Sequence, residues 1–298
     1  MLKPLPLAAL LFAFAFPFLP LGDRTAFIQQ ISLFVLSSAV LALSWDFLAR
    51  TGQLSLAHAA FFGLGAYTFA LLANAGVPQP IAFLAAGVFS SLASLLLGVV
   101  TLRLHGMYFA IATLSFAEVL KTIINQLPFT GGSQGLLVPA LFGGGFLTLY
   151  FLGLAMLLAL VVISELSKRS KLGFAATAIR QGELVARVLG VNATKVKLQS
   201  FVISSFFVGL VGAYAAGKTF YITPPEAFSA SVSVTALVMP IFGGLYSTAG
   251  PILAAVVLRI LEELLRLVIP QGYLIGYGVI LVLSILFLPK GLLSLWKK

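Results

Sequence analysis

Residues 212–219 read GAYAAGKT, which fits the phosphate-cradling pattern GxxxxGK[ST]. In that chemistry, backbone amides and a lysine converge on phosphates from a turn between a strand and a helix. Here an apolar, helix-like run precedes the match and FYITPP follows it, with Pro224-Pro225 arguing against a helix. A nucleotide site also needs a carboxylate for magnesium at a strand end, yet the aspartates are Asp23 and Asp46 alone. The match is read as coincidence, and Lys218 as no nucleotide ligand.

Other reactive types are sparse. His58 and His105 lie far apart and lack an HExxH companion, so no metal site is expected, and the absence of cysteine removes thiolate chemistry and disulfides. Glu262 and Glu263 are adjacent carboxylates, but Arg259 with Glu263 and Glu262 with Arg266 stand at i,i+4, a spacing for mutual neutralisation along a helix. Asp46 has Arg50 four residues on, and Glu118 has Lys121 three residues on. The sequon Asn192-Ala193-Thr194 lies in a basic loop that glycosylation is not expected to reach. No catalytic residue, cofactor or metal is expected.

The elements that hold these residues follow from composition. Of 298 residues, 60% are hydrophobic and 9% charged. A water-facing surface needs roughly a quarter charged residues, so the solvent must be lipid. Spanning a bilayer by helix takes roughly 20 apolar residues, and the runs lack the period-two alternation of a barrel. The expected fold is an all-α polytopic membrane protein of about ten transmembrane helices, one domain over residues 1–298. The segments fall near 5–21, 27–48, 54–74, 80–102, 107–124, 146–165, 198–217, 228–243, 249–268 and 272–289, the eighth short enough to be re-entrant. The N-terminal run resembles a signal peptide but shows no small-x-small cleavage site, so a retained first helix is expected.

A net charge of +10 would suggest nucleic acid in a soluble protein. In lipid it follows instead from basic loops facing the cytoplasm. Lys168, Arg169, Lys171, Arg180, Arg187, Lys195 and Lys197 crowd one loop, about 166–197, against Glu165 and Glu183. Counting spans outward puts Lys3, Arg50, Arg103, Lys290, Lys297 and Lys298 on the same side, with both termini cytoplasmic and with Arg24, Lys218 and Arg266 as exceptions. The 125–145 loop on the opposite side has no charge. Gly209, Ala213 and Gly217, and likewise Ala59 and Gly63, repeat every four residues, a spacing for close helix contact in lipid.

Six stretches, in order, resemble the permeases of branched-chain amino acid ABC importers, of the LivM subunit type. They are TGQLSLAHAAFFGLGAYT, LHGMYFAIATLSFAEVL, TGGSQGL, AIRQGELVARVLGVNATKVKLQSFVISSFFVGLVGAYAA, IFGGLYSTAGPILAAVV and FLPKGLLSL. The resemblance implies an inner-membrane importer subunit that works with separate ABC ATPase subunits, a LivH-like second permease and an extracytoplasmic solute-binding protein. Permeases of this kind dock a short cytoplasmic helix, often EAAxxxG-like, onto the ATPase. Here LVARVLG departs at its first two positions and keeps Ala186 and Gly190. The residues expected to couple are Glu183, Val185, Ala186, Val188, Leu189 and Gly190, with Glu183 to Leu189 as a short helix and Gly190 as its left-handed cap. Gly131 and Gly132, Gly243 and Gly244, and Glu118 are expected along the solute path, with Gly63-Gly65 and Gly250-Pro251 as further candidate breaks. The same architecture serves urea, short amides or other small polar solutes. A stand-alone secondary transporter is the rival that would depend on a carboxylate such as Glu118.

Overall fold

The computed structural model describes residues 13–18, 25–104, 106–269, 271–272, 275–279, 282, 286 and 291–296. The expected first and last spans, 5–21 and 272–289, fall largely outside these residues, as do Lys3, Asp23, Arg24, His105, Lys290, Lys297 and Lys298. Among the described residues the chain is all-α but for one small bridge. Its helices are α1 (Thr25–Ala49), α2 (His58–Asn74), α3 (Gln79–Thr101), α4 (Met107–Gln126), α5 (Phe146–Lys168), α6 (Lys171–Gln181), α7 (Glu183–Val188), α8 (Ala193–Thr219), α9 (Pro224–Ala227), α10 (Ala230–Gly243) and α11 (Ala249–Val268).

Six stretches among the described residues are long and apolar enough to cross a bilayer: α1, α3, α4, α5, α8, and α9 with α10 as Pro224–Gly243. Two further expected spans are helices that fall short of that standard for different reasons. The α2 helix has 17 residues, and α11 carries Arg259, Glu262, Glu263 and Arg266 within 20. The Pro224-Pro225 pair, expected to exclude a helix, instead opens α9, because proline is tolerated in a first turn where the amide has no intrahelical acceptor.

At the centre stands α8, with 78% of its apolar stretch buried, against 17% for α4. Small residues explain how so long a helix can be surrounded. A Cβ on Gly65 would come within 2.1 Å of the Gly209 carbonyl oxygen, and one on Gly212 within 2.0 Å of that of Phe62, so α2 and α8 touch backbone to backbone. A Cβ on Gly209 would meet the Ala86 carbonyl of α3 at 2.7 Å. In lipid, where tails are as apolar as the side chains, such close packing supplies the association energy. By contrast α4 buries one stripe, Phe109, Thr113 and Ala117, spaced i, i+4, i+8.

The two ends of the bundle differ. At the end away from the basic loop, β1 (Leu136–Leu137) pairs antiparallel with β2 (Tyr221–Ile222). There Asn74 donates to the Leu137 carbonyl at 2.8 Å, and Gln79 to that of Ala140 at 2.9 Å. The chargeless 125–145 loop is thus stitched across the ends of α2, α3 and α8. At the basic end lie the α1–α2 connection, the C-terminus of α5, α6, α7 and the α10–α11 connection.

Candidate functional site

Two structures share the basic end. The first is the short helix α7. Ser170 caps α6 by accepting the Leu172 amide at 3.2 Å, and α6 ends at Gly182, where α7 begins. After Val188 the chain closes on itself: the Gly190 amide donates to the Arg187 carbonyl and the Val191 amide to that of Ala186, both at 3.0 Å. This double closure needs a left-handed residue, and Gly190 supplies it at φ +80°. The helix stops one residue earlier than expected, with Leu189 as its cap rather than within it.

One face of α7 packs inward. Ala186 forms a small buried cluster with Ile179 of α6 and Ala193 of α8. The other face does not: Leu184, Val185, Val188 and Leu189 are exposed, Val188 by 88%. Beneath them Glu183 is held by two cations, Arg187 at 2.6 Å and Lys197 at 2.6 Å. Lys197 is 2% exposed on the first turn of α8, so the bridge pins α7 to the central helix. Burial pushes the Glu183 carboxyl up, but hydrogen bonds and charge from Lys197 and Arg187 outweigh it and hold the group below its ordinary value. Lys197 counts in the sequence only as loop charge; nothing in its neighbours signals that it is buried.

The second structure is a buried polar clasp. Asp46 near the end of α1 is fully buried and bonds Arg50 at 3.0 Å. Its other oxygen accepts the Tyr246 amide at 2.5 Å from the α10–α11 connection. Arg50 donates on to Ser164 Oγ of α5 at 2.9 Å, and Ser164 Oγ bonds Thr248 Oγ1 at 2.8 Å. Two spanning helices, α1 and α5, and one connection therefore meet on one ion pair. Sequence spacing gives the Asp46 and Arg50 pair, but Ser164, Tyr246 and Thr248, 84 or more positions away from at least one partner, carry no signal of it.

The residues expected along a solute path are not brought together. Gly131 and Gly132 sit in the loop at the far end, at φ +75° and +53°. Gly243 and Gly244 sit at the basic end, where the chain does break: Gly244 stands at φ +115°, and a Cβ on Gly243 would come within 2.0 Å of the Gly250 carbonyl oxygen. Glu118 lies on α4 and pairs with Lys121, both partly exposed. Gly63 and Gly65 are not breaks; they lie inside unbroken α2, where Gly63 makes room for the Phe228 ring and Gly65 for α8. Gly250-Pro251 likewise lies in the first turn of α11.

The remaining motifs settle simply. Residues 212–219 are the last turns of α8, with no strand before them, and the Lys218 ammonium stands 3.2 Å from the Phe34 ring centroid. The α11 charges pair at i,i+3 rather than i,i+4: Arg259 with Glu262 at 2.6 Å and Arg266 with Glu263 at 3.5 Å. Arg259 also donates to Ser38 of α1 at 2.6 Å, and this contact turns it away from Glu263. Asn192 of the sequon caps α8, its side chain accepting the Lys195 amide at 3.0 Å.

A helical bundle with six stretches long and apolar enough to cross a bilayer among its described residues defines a multi-pass membrane protein. The family described as branched-chain amino acid transport system, permease component, matches residues 27–288, and the chain belongs to it. The permease protein LivM of the high-affinity branched-chain amino acid transport system of Salmonella typhimurium is 32% identical over 335 residues, spanning 93% of this chain and 78% of its own. LivM of Escherichia coli matches to the same extent, 32% over the same coverage. No solved structure matches the chain.

Proposed function

We propose that this chain carries branched-chain, hydrophobic amino acids across the inner membrane as one permease subunit of an ATP-driven importer. The carrying observation is the four-residue apolar face of α7, exposed at the basic end while Glu183 and Lys197 fix the helix to the bundle core. An exposed apolar patch rimmed by charge is the mark of a protein partner. The partner is an ABC ATPase, the 166–197 region is cytoplasmic, and Glu183, Val185, Ala186, Val188, Leu189 and Gly190 form the coupling element. A LivH-like permease completes the pore, and an extracytoplasmic binding protein delivers solute to the chargeless end. With both termini cytoplasmic, the six described spans, α2, α11 and the segments at 5–21 and 272–289 make about ten crossings. The family match and the pairing of Glu118 with Lys121 support the ATP-driven mechanism over a stand-alone carrier, which would depend on a lone carboxylate.

The test is vesicle uptake of leucine, isoleucine and valine against urea and short amides, with ATPase, second permease and binding protein supplied. Uptake of the three amino acids that stops without ATP is expected. Flux through the purified chain alone, or labels at residues 170–195 reachable only from outside the cell, would overturn the reading.

A further inference from the structure

Tyr246 is a bulky residue held at φ +63°, in the left-handed region where side chains are rarely found. Such a conformation persists only where its surroundings over-determine it, and it concentrates at switching sites. Here two groups do so from opposite sides. From within, fully buried Asp46 takes the Tyr246 amide, and Thr248 on the same connection is tied through Ser164 to Arg50. From outside, the Arg180 guanidinium of α6 lies 3.7 Å from the Tyr246 ring centroid. Tyr246 is 39% exposed, so its ring is offered outward for this contact rather than packed into the core.

The surroundings of Arg180 leave it able to act as a strut. A cavity of about 480 Å³ undercuts α6 at this point, lined among others by Phe47, Arg50, Lys168, Phe174, Arg180 and Tyr246. Arg180 crosses from α6 to the connection over that space. Its backbone is seated against Gly52, where a Cβ would lie 3.5 Å from the Arg180 Cα, so α6 also rests on the α1–α2 connection. The connection that Arg180 grips leads directly into α10 and α11, broken at Gly244.

We propose that Arg180 and Tyr246 form the joint that carries movement of the ATPase-facing helices α6 and α7 to the α10–α11 connection. Asp46 and Arg50 act as its fixed seat. Both are positioning residues: neither needs to touch solute or nucleotide. The proposal rests on the reading of α7 as the ATPase-docking helix.

The complete importer, reconstituted with its ATPase, second permease and binding protein, tests this by leucine uptake and ATP hydrolysis measured on the same vesicles. Arg180→Ala and Tyr246→Gly are expected to lower leucine moved per ATP hydrolysed by about tenfold while hydrolysis persists, within the range that coupling residues show. Tyr246→Phe, which keeps ring and amide, is expected to match the wild type. An unchanged ratio in Arg180→Ala overturns the joint. The chain has no cysteine, so spin labels at Thr177→Cys and Ala249→Cys report the distance from α6 to the first residue of α11, where the connection ends, in an otherwise intact complex. That distance is expected to stay fixed between nucleotide-free and ATP-bound states, and a change of roughly 5 Å, one helical turn, overturns the joint as well. The docking reading fails separately, if ATPase co-purifies normally with Val188→Asp.

Discussion

The basic end holds two arrangements that reverse each other. In the clasp, charged groups are buried and satisfied by one another and by hydroxyl and amide partners; in α7, apolar residues are exposed and charged groups anchor them from below. Asp46 and Arg50 have each other, Tyr246 and Ser164, and need nothing further from outside the chain. Leu184, Val185, Val188 and Leu189 have no such cover among the described residues. The clasp is thus a feature of one chain's geometry, whereas α7, on the proposed function, is half of an interface. A burial pattern of this kind tells where rigidity is needed and where a partner is expected.

The sharpest way to break the comparison is at Asp46. Asp46→Ala leaves Arg50 buried without its carboxylate and frees the Tyr246 amide, a loss on the order of 3–5 kcal/mol for a broken buried pair. The purified chain in detergent is expected to unfold at clearly lower temperature, with or without partners. If its melting is unchanged, the clasp is not a rigid seat.

Val188→Asp is expected to do the opposite. Val188 is 88% exposed, so the chain's own melting should stay within about 0.5 kcal/mol of wild type. Capture of the ATPase should fall by about 2 kcal/mol, roughly thirtyfold, as for an interface anchor. Equal capture would show that the apolar face of α7 meets something else. Gly190→Ala separates shape from chemistry on the same helix. Nothing lies within 4 Å of the added Cβ, but φ +80° costs an L-residue about 1–2 kcal/mol. A severalfold loss of ATPase capture without loss of insertion is expected, measured by pull-down and membrane fractionation.

The sequence makes one of these regions much more legible than the other. Exposed apolar residues on a short helix, closed by left-handed Gly190 after its cap Leu189, are local features, and the spacing of Leu184, Val185, Val188 and Leu189 is enough to place them. The clasp is nonlocal: Asp46 and Arg50 share a helix turn, but what gives them meaning is Tyr246, 200 positions on. The same split runs through the fold. Spans with long apolar runs, such as α5 and α8, are visible in composition, while α6 is hidden in what reads as basic loop because its 11 residues, with Lys171 and Arg180 among them, are too short for a membrane-spanning run. The i,i+3 choice of Arg259 is set by Ser38 on another helix, which spacing along α11 does not include.

The smallest expected effect is also the one that joins the two arrangements. Glu183 anchors α7 as Asp46 anchors the clasp, but it stands partly in solvent, so its bond should be open to titration. With Lys197 and Arg187 holding its carboxyl below the ordinary 4.5, the folded state binds that proton less readily than the unfolded state. The contribution to the anchoring of α7 is therefore fully present above pH 4.5 and is lost as pH falls through the lower, folded value. Hydrogen exchange of residues 184–190 is expected to be steady from pH 7 to about 4.5 after correction for the intrinsic rate, and to quicken below it. In Glu183→Gln the same amides should exchange faster at pH 7 and show no such step. A wild-type profile flat through the acid range would mean that Ala186 packing alone seats the helix, and that Lys197 is buried for the sake of α8 rather than α7.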